Sequence, residues 1–370
     1  MKIVVASDSF KGSLSSAEVA GAVAESIRSV NPSAEVVCAS VADGGEGTVE
    51  SLLASCGGEK VTITVSDPLL RPIQASYGLL PNGTAMIEMS SASGLPLLAP
   101  GERNPMLTST RGTGELVADA LSRGCTRILM GIGGSATNDA GTGMLTALGY
   151  RFLDADGNPL PGIGASLGSI VSVDDSAVPD EVRNAEFRIA CDVDSPFCGP
   201  RGAACVFARQ KGADDAMIDT LDRGLSSFAE KIACIGVDVR EVPGAGAAGG
   251  LGGACLAFLN ARLVPGVEMV LDAIGFDALL EGAELVITGE GRMDSQTLAG
   301  KTPFGIMKHA VRRGIPVAAI CGRCMDRDLL LSAGFASISE VTPEGMPLEE
   351  AMEPSVARAN VISTVKSILE

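Results

Sequence analysis

The chain has 370 residues, enough for two domains or one large one, and its apolar fraction of 46% is ordinary for a globular protein. Its formal net charge of −17 opposes binding to nucleic acid or to an anionic membrane. If its substrates are anions, the positive charge that binds them must be local, from a few Lys or Arg side chains, helix N-termini and metal ions.

The N-terminal part of the chain alternates strand and helix patterns. Ile3–Ala6 is a short buried-strand pattern, and Ser15 with Glu18 forms a capping box at the start of a helix. A second strand at Glu35–Ala39 precedes a helix over about residues 46–56. Strands that alternate with helices, with glycine loops at the strand ends, predict a parallel doubly wound sheet.

The middle of the chain has a different character. Val61–Val65 is β-branched, and segments 73–80 and 84–89 flank Pro81-Asn82-Gly83, which predicts a β-hairpin. Further strands are predicted at Arg127–Ile132, Arg188–Cys191 and Ala203–Ala208. A helix follows, with one apolar face made by Met217, Leu221, Leu225, Phe228 and Ile232.

The last third returns to a strand–loop–helix–strand pattern, with strands at Leu285–Thr288 and Pro316–Ile320 and a final helix over about residues 355–369. We therefore predict an α/β protein with a discontinuous Rossmann-like doubly wound parallel-sheet domain, residues 1–65 and 284–370. Residues 66–283 would form an inserted mixed α/β domain, with a cleft between the two.

Cysteine usage and the N-terminus predict a cytoplasmic protein. The ten cysteines follow no framework of even spacing, and the first eight residues contain no signal-peptide apolar core before the first charge. The uncharged run from Ala245 to Ala261 is rich in glycine and short for a membrane span, so we interpret it as a loop and a buried helix. We expect no nucleic-acid or membrane partner, and the sequence leaves the oligomeric state open.

Four loops contain carboxylates and are rich in glycine or lead into glycines, at residues 43–48, 131–139, 191–194 and 288–294. The third, 191–194, has no glycine itself but runs into Gly199 and Gly202. Glycine lets backbone amides surround an anion, because no Cβ blocks the approach. Carboxylates beside such amides would repel a phosphate unless a divalent cation bridges them to its oxygens. The combination predicts Mg²⁺–nucleotide chemistry.

The segment from Asp8 to Ser13 follows the first strand, at the edge where doubly wound sheets bind ligands. Lys11 can neutralise a phosphate or a substrate carboxylate, and Asp8 can hold a metal ion or accept a proton. The alternative is that Asp8 caps a turn and Lys11 is solvated.

The loop from Gly131 to Asp139 follows a strand and opens a helix, which suits a phosphate cradle with Ser135 and Thr137 as hydroxyl donors. The alternative is a glycine turn that serves packing only. Gly300-Lys301-Thr302 resembles the end of a Walker A loop, but Ser295 stands where the first glycine is required, so this is not a P-loop.

Three further patterns resemble known functional motifs, but in each case the surrounding sequence disfavours the function. Gly244–Gly249 matches G-x-G-x-x-G, but a Pro-Gly break precedes Glu268 at the ribose-acid position, which disfavours an NAD site. His309 is the only histidine; we expect a solvated residue at a helix end, and a Ser-His-Asp hydrolase is disfavoured. The C-x-x-C at Cys321 to Cys324 has no partner pair for a zinc site.

Taken in order, these segments resemble the bacterial glycerate kinases of the two-domain, non-P-loop type over nearly the whole chain. The matching landmarks are Asp8 to Gly12, Ala42 to Thr48, Gly131 to Asp139, Cys191 to Val193, Gly244 to Gly250, Thr288 to Asp294, Gln296-Thr297 and Gly300-Lys301. The resemblance implies ATP-dependent phosphorylation of D-glycerate with Mg²⁺. For this branch it implies 2-phosphoglycerate as the product.

The chain departs from the family pattern at three positions. Ala140 follows Asp139 where the family usually has a second glycine, and Leu70 precedes Arg71 where it usually has glycine. Arg111 stands where an aromatic residue is common. The Leu70 change puts the loop geometry around Arg71 in question, and Arg111 bears on substrate preference.

A kinase of this kind must align a hydroxyl with the γ-phosphorus and neutralise the spreading charge. In our hypothesis Asp192 or Asp8 accepts the hydroxyl proton, and Lys11, counted with them as catalytic, contacts the glycerate carboxylate or a phosphate. The substrate is bound by Ser9, Arg71 and Arg292, and Mg²⁺ by Asp43, Glu290 and Asp294. The ATP phosphates are bound by Gly133, Gly134, Ser135, Thr137, Asn138 and Lys301.

Other functions stay open on the sequence alone. The main rival is a kinase for another small hydroxy acid or sugar acid, because Leu70 and Arg111 depart from the family pattern. A non-catalytic nucleotide or metabolite sensor is a second alternative, and an NAD oxidoreductase is a third.

Overall fold

The computed structural model describes residues 1–369. The strands, in chain order, are β1 (Lys2–Ser7), β2 (Glu35–Ser40), β3 (Glu59–Ser66), β4 (Pro72–Leu79), β5 (Thr84–Glu88), β6 (Arg127–Gly131), β7 (Arg151–Leu153), β8 (Ser172–Asp174), β9 (Glu186–Ala190), β10 (Arg262–Val264), β11 (Leu285–Met293), β12 (Val317–Cys324) and β13 (Ser337–Glu340).

The α-helices are α1 (Ser16–Val30), α2 (Thr48–Cys56), α3 (Ser90–Ser93), α4 (Arg111–Ser122), α5 (Thr142–Ala147), α6 (Asp180–Asn184), α7 (Ala203–Phe207), α8 (Asp215–Cys234), α9 (Ala247–Phe258), α10 (Gly266–Ala273), α11 (Phe276–Leu279), α12 (Thr302–Arg312), α13 (Arg327–Ala333), α14 (Leu348–Met352) and α15 (Pro354–Leu369). Short 3₁₀ turns lie at Leu95–Leu97, Pro100–Glu102, Gly164–Ser169, Arg209–Lys211 and Ser295–Ala299.

The chain divides into two compact units. Unit 1 contains Met1–Asp43, Glu50–Gly57 and the chain from Val267 onward, and unit 2 contains Gly44–Val49 and Gly58–Gly266. Unit 1 is discontinuous, and its segments end and resume at other residues than the predicted 1–65 and 284–370. The first part of unit 1 ends before β3, because β3 pairs along its length with β4 of unit 2. Unit 1 also resumes earlier than predicted, so that it includes most of α10.

Unit 1 is built on a five-stranded, fully parallel sheet in the order β13-β12-β11-β1-β2. Numbered within the unit, this order is 2-1-3-4-5, a doubly wound arrangement in which successive strands are added to one side of β1 and then, from β11 onward, to the other. Helices α1 and α15 cover one face of the sheet, and their apolar residues share a core with those of β1, β11 and β12. The predicted parallel sheet is confirmed.

Local signals in unit 1 explain its first helix. The Ser15 hydroxyl accepts a hydrogen bond from the Glu18 amide at 3.3 Å, and the Glu18 carboxylate accepts one from the Ser15 amide at 2.8 Å. This reciprocal pair is the predicted capping box, and it satisfies two amides that the first turn leaves unpaired. The side chains of Val19, Val23 and Ile27 follow on the buried face.

Unit 2 is built on a six-stranded mixed sheet in the order β10-β9-β6-β5-β4-β3. Strands β3, β4 and β5 are antiparallel, and the β4–β5 connection is the hairpin predicted at Pro81-Asn82-Gly83. The pairs β5–β6, β6–β9 and β9–β10 are parallel. The predicted second, mixed α/β region is therefore confirmed.

Close backbone contacts place the Gly44–Val49 segment over the ends of β6 and β9. A Cβ on Gly131 would lie 2.1 Å from the Gly44 carbonyl oxygen, and one on Gly44 would lie 2.7 Å from Ala190 Cβ. Gly44 also has φ +84°, a conformation that glycine adopts without strain. These contacts explain why the segment belongs to unit 2.

Two predictions about individual segments are wrong. Residues 203–207 form helix α7, not a strand; a short apolar run fits either structure, and Ala203-Ala204 favours the helix. His309 is not a solvated helix-end residue, since it is 9% exposed. Its Nδ1 lies 2.9 Å from Asp277 Oδ1 and its Nε2 lies 2.9 Å from Glu268 Oε2. Two nearby carboxylates offset the cost of burying the ring.

All ten cysteines are free, as expected from their spacing. None of the helices within residues 1–369 combines the length and the apolar content of a membrane span.

Candidate active site

A cavity of about 590 Å³ opens in unit 1 where β1 and β11 end. This is the point at which the strand order reverses, the usual ligand position in doubly wound sheets. The polar side chains that line it include those of Asp8, Ser9, Lys11, Asp43, Glu290, Arg292, Lys301 and Arg323. Seven of these eight residues were predicted as site residues, and Arg323 was not.

Asp8 is the buried acid at the end of β1. Its Oδ1 accepts a hydrogen bond from the Ser9 amide at 2.7 Å, and its Oδ2 accepts one from Thr302 Oγ1 at 3.0 Å. Burial raises the pKa of the Asp8 carboxyl, and the nearby Asp43 carboxylate raises it further. A carboxyl with a raised pKa that opens onto a cavity is suited to bind a cation or to accept a proton.

Glu290 is the corresponding acid on β11. Its Oε1 accepts a hydrogen bond from Thr297 Oγ1 at 2.7 Å, and its Oε2 lies 3.6 Å from Lys301 Nζ. Burial raises its pKa, against the lowering effects of Thr297 and Lys301, and the nearby Asp8 carboxylate raises it further. Asp8 and Glu290 therefore share one electrostatic environment at the base of the cavity.

More exposed charges surround this pair. Lys11 Nζ lies 3.6 Å from Asp43 Oδ2, and the Lys11 side chain is exposed. Arg292 Nε lies 3.2 Å from Asp294 Oδ2. Asp294 itself does not line the cavity: it caps the 3₁₀ turn that follows β11, where its carboxylate accepts the Gln296 amide at 3.0 Å.

The carboxylates of unit 1 fit a phosphate-bound Mg²⁺ better than a metal enclosed by protein alone. Among residues 1–369, no three His, Cys, Asp or Glu side chains converge closely enough to enclose a metal ion. Mg²⁺ in phosphoryl-transfer sites usually has one or two carboxylate ligands and completes its shell with phosphate oxygens and water. Asp8 and Glu290 supply such a partial set in one cavity.

The glycine loop after β6 lies in unit 2 and rests on a buried lysine. Gly133 and Gly134 are exposed, whereas Ser135, Thr137 and Asn138 are buried. Lys211, 2% exposed, donates hydrogen bonds to Ser135 Oγ at 2.7 Å and to the Thr137 carbonyl oxygen at 2.6 Å. Burial lowers the pKa of Lys211 to about 7, and the Asp139 carboxylate opposes this shift.

Asp139 and Asn138 play different parts in this loop. The Asp139 carboxylate accepts hydrogen bonds from the amide and hydroxyl of Thr110 and from the amides of Gly141 and Gly143, so it joins the loop to the starts of α4 and α5. Asn138 is fully buried, yet neither polar atom of its side-chain amide has a hydrogen-bond partner within residues 1–369. An unsatisfied buried amide is rare and marks a place where a further polar partner would be favourable.

The two remaining predicted residues also lie in unit 2. Asp192 follows β9, is exposed, and accepts a hydrogen bond from the Gly266 amide at 3.0 Å. Arg71 pairs with Asp67 and with Glu102, with nitrogen–oxygen distances of 2.6 Å in both cases. Its guanidinium is therefore held by two carboxylates.

Sequence patterns missed three polar residues at these sites. Thr302 had a usable signal, because it completes the Gly300-Lys301-Thr302 triplet, and its hydroxyl contacts Asp8. Arg323 lies at the end of β12, beside β11, so only the strand order reveals it. Lys211 stands in no recognisable motif, and its burial beneath the glycine loop is a tertiary contact that local sequence does not encode.

The chain is similar to known proteins over its whole length. The model of the glycerate kinase family matches residues 3–370. A glycerate kinase of Bacillus subtilis strain 168 is 46% identical over 95% of this chain and 93% of the relative, and a glycerate 2-kinase of Escherichia coli K12 is 47% identical over 88% and 86%. A solved structure described as glycerate kinase 2 of Salmonella typhimurium LT2 superposes with a TM-score of 0.92 at 43% identity, covering 100% of this chain and 97% of the other. The chain belongs to the glycerate kinase family.

Proposed function

We propose that the chain transfers the γ-phosphoryl group of ATP to the 2-hydroxyl of D-glycerate with the help of Mg²⁺. The observation that carries the proposal is the buried pair Asp8 and Glu290, in one cavity with Lys11, Arg292 and Lys301. Two acids with raised pKa values favour a bound cation, and three nearby cations favour a polyanion. The name of the Escherichia coli relative, glycerate 2-kinase, supports the choice of hydroxyl.

In this proposal Asp8 and Glu290 would hold Mg²⁺, with Asp43 close enough to raise the pKa of Asp8. When bound, the ion would neutralise part of the phosphate charge that develops during transfer. Thr302 and Thr297 orient the two carboxylates through their hydroxyl groups, and Lys301 limits the repulsion at Glu290. Asp294 contributes indirectly, because its cap fixes the turn that carries Thr297.

We also propose that the loop of unit 2 binds an anionic group of a substrate. Gly133 and Gly134 are exposed, and an added Cβ on Gly133 would meet no atom within 4 Å, so there is space for an anion beside the loop. Ser135 Oγ accepts from Lys211, so its own proton can be donated outward. The buried Lys211 ammonium adds positive charge beneath the loop, and Asn138 offers an amide that has no protein partner within the described residues.

The acceptor of the substrate proton is Asp8 or Asp192. Burial raises the pKa of Asp8, but a carboxylate that holds Mg²⁺ is a poor proton acceptor, so Asp8 is the base only in the alternative in which Glu290 and Asp43 hold the ion. Asp192 is exposed and accepts a hydrogen bond from the Gly266 amide. We expect Asp8→Asn to lower kcat by about 100-fold or more, because the substitution removes a buried charge at the reacting centre.

A coupled assay of ADP release tests the proposal directly. The chain is supplied with MgATP and, in separate reactions, D-glycerate, L-glycerate and a panel of small hydroxy and sugar acids. The proposal predicts the highest kcat/KM for D-glycerate. A higher kcat/KM for another acid would identify that acid as the substrate, whereas ATP binding without turnover of any acid would favour a sensor.

If Asp8→Asn and Asp192→Asn both fold and keep near-normal turnover, neither residue is the base.

A further inference from the structure

The unit 1 cavity has a second, apolar side that the proposed chemistry does not use. It is lined by Met325, Val341, Met346, Leu348 and Met352. Leu348 and Met325 are 72% and 60% exposed, and both are large apolar side chains. Apolar side chains gathered on an open cavity wall, rather than scattered singly, mark a surface that binds a ligand. The Asp8–Glu290 pair has no need of such a wall.

The apolar wall and the charged side of the cavity meet at one loop. A Cβ on Gly12 would lie 2.9 Å from Met352 Cε, so the methionine methyl group packs directly on the loop that carries Asp8 and Lys11. Gly12 has φ +79°, which glycine adopts without strain, and any larger residue would displace Met352. A single ligand can therefore touch the wall with one end and the cations with the other.

We propose that this wall binds the purine ring of a nucleoside triphosphate, with the phosphates directed towards Lys11, Lys301 and Arg292. The inference rests on the proposed kinase function and adds the position of the base. A molecule with a flat apolar end and a polyanionic tail matches a cavity that has an apolar wall and a cationic side. The volume of about 590 Å³ lies in the range of small-molecule sites.

The composition of the wall favours an aromatic ring over an aliphatic group. Three of its five side chains are methionines, whose sulfur atoms make favourable contacts with aromatic rings. The Asn360 side-chain amide donates to Met346 Sδ at 3.5 Å, which restrains one of them. Phe10 also lines the cavity but is only 5% exposed; the chain has no Trp, and Tyr77 and Tyr150 both lie in unit 2.

Calorimetric titration of the full chain separates the base from the phosphates. The test variant is Leu348→Gln with Met325→Gln, which keeps side-chain size at two exposed positions and removes their apolar character. We expect about ten-fold weaker binding of MgATP and binding of Mg²⁺–tripolyphosphate within two-fold of the wild type. The matched control is Leu329→Gln on α13, an exposed leucine outside the cavity, which should change neither affinity.

Unchanged MgATP affinity in the double variant would overturn the inference, as would an equal loss of tripolyphosphate binding.

A second measurement does not depend on these variants. Adenosine without phosphate should shift the ¹³C-methyl NMR signals of Met325, Met346 and Met352, assigned by Met→Leu variants, and tripolyphosphate should shift them far less. Shifts confined to other methionines would overturn the assignment. If these three signals respond to adenosine but D-glycerate is not phosphorylated, the base site stands and the kinase proposal fails.

Discussion

Leu70 and Ala140, two of the departures from the pattern that the resemblance implies, hold left-handed backbone conformations. Leu70 has φ +64° and Ala140 has φ +49°. An L-residue in this region brings its Cβ close to the following carbonyl, which costs roughly 1–2 kcal/mol. Leu70 and Ala140 therefore each place local strain on the backbone. The turn before Arg71 still forms, since the Leu70 amide donates to the Asp67 carbonyl at 2.9 Å.

Leu70→Gly should raise the free energy of unfolding by about 1 kcal/mol, because glycine relieves the strain and the exposed leucine side chain loses little packing. Thermal or urea unfolding of the full chain measures this change in the free energy of unfolding. Leu107→Gly is the matched control: this leucine is similarly exposed but has no left-handed φ, so the same substitution should lower stability slightly. A loss of stability in Leu70→Gly as large as in the control would contradict the strain.

Lys211→Met should lower kcat/KM by about 100-fold while the chain stays folded, because it removes the cation beneath Ser135 and Thr137. Lys231→Met on α8 applies the same change away from the loop and should leave kcat/KM unaltered.

In the wild type, kcat/KM should fall as pH rises through about 7, where the free enzyme loses the Lys211 charge. A purely structural role would give no such pH step.

The stability of the chain carries the opposite dependence on pH. The folded pKa of Lys211 is about 7 and the unfolded value is 10.5, so the unfolded chain binds more protons between these two values. The free energy of unfolding should therefore rise with pH from about 7 to about 10.5 on account of this group. Lys211→Met should remove that rise; an identical rise in both proteins would show that the lysine is not the titrating group.

At the scale of elements, helix α12 carries a functional contact at its start and a charged clamp near its end. Thr302, its first residue, donates to Asp8, and Lys301 just before it faces Glu290. Near the other end, His309 lies between Glu268 of α10 and Asp277 of α11. These two contacts of His309, the His309 clamp, hold α12 against α10 and α11. Because Thr302 is on the same helix, they also help to fix its position.

The His309 clamp should make stability depend on pH. Burial works to lower the pKa of His309, but its hydrogen bonds to Glu268 and Asp277 outweigh burial and raise it. A raised folded pKa gives a stabilisation that is fully present below the unfolded value of 6.5 and is lost as pH rises through the folded value. Lys308 and Arg313 also face these carboxylates and moderate the effect.

His309→Gln should therefore lower the melting temperature by several degrees at pH 6 and by clearly less at pH 9. Differential scanning calorimetry at the two pH values measures the difference. Gln keeps hydrogen-bonding capacity and lacks the charge, so it isolates the titration. An equal loss at both pH values would mean that packing against Phe276, not charge, is what the imidazole contributes.

At the scale of the whole molecule, periodicity and turn chemistry predicted most of the fold. The capping box at Ser15, the hairpin at Pro81-Asn82-Gly83 and the strand before Asp8 are local signals, and each is present in the structure. Ala203–Phe207 was mistaken for a strand because five apolar residues fit both periods and only tertiary packing selects the helix. The unit boundaries depend on strand pairing, which local patterns do not specify.

The assignment of the site residues stays a prediction, and what the sequence could indicate differs from residue to residue. Asp8 and Glu290 follow from glycine loops at strand ends, because parallel strands bring such loops to one edge of a sheet. Lys211 and the apolar wall around Met346 could not be predicted, since both arise from side chains that are distant in sequence and come together only through packing. The position of His309 near a helix end predicts solvent exposure, but tertiary packing buries its ring beside Glu268 and Asp277.

Phosphorus NMR of the products formed from D-glycerate and MgATP measures both the activity and the hydroxyl that is phosphorylated. We expect stoichiometric ADP and a single phosphomonoester signal that coincides with the signal of added 2-phosphoglycerate. The matched reaction with Asp8→Asn should form this product at least about 100-fold more slowly. A signal that matches 3-phosphoglycerate would contradict the proposed hydroxyl, and the absence of any phosphoglycerate from folded, ATP-binding protein would contradict the kinase itself.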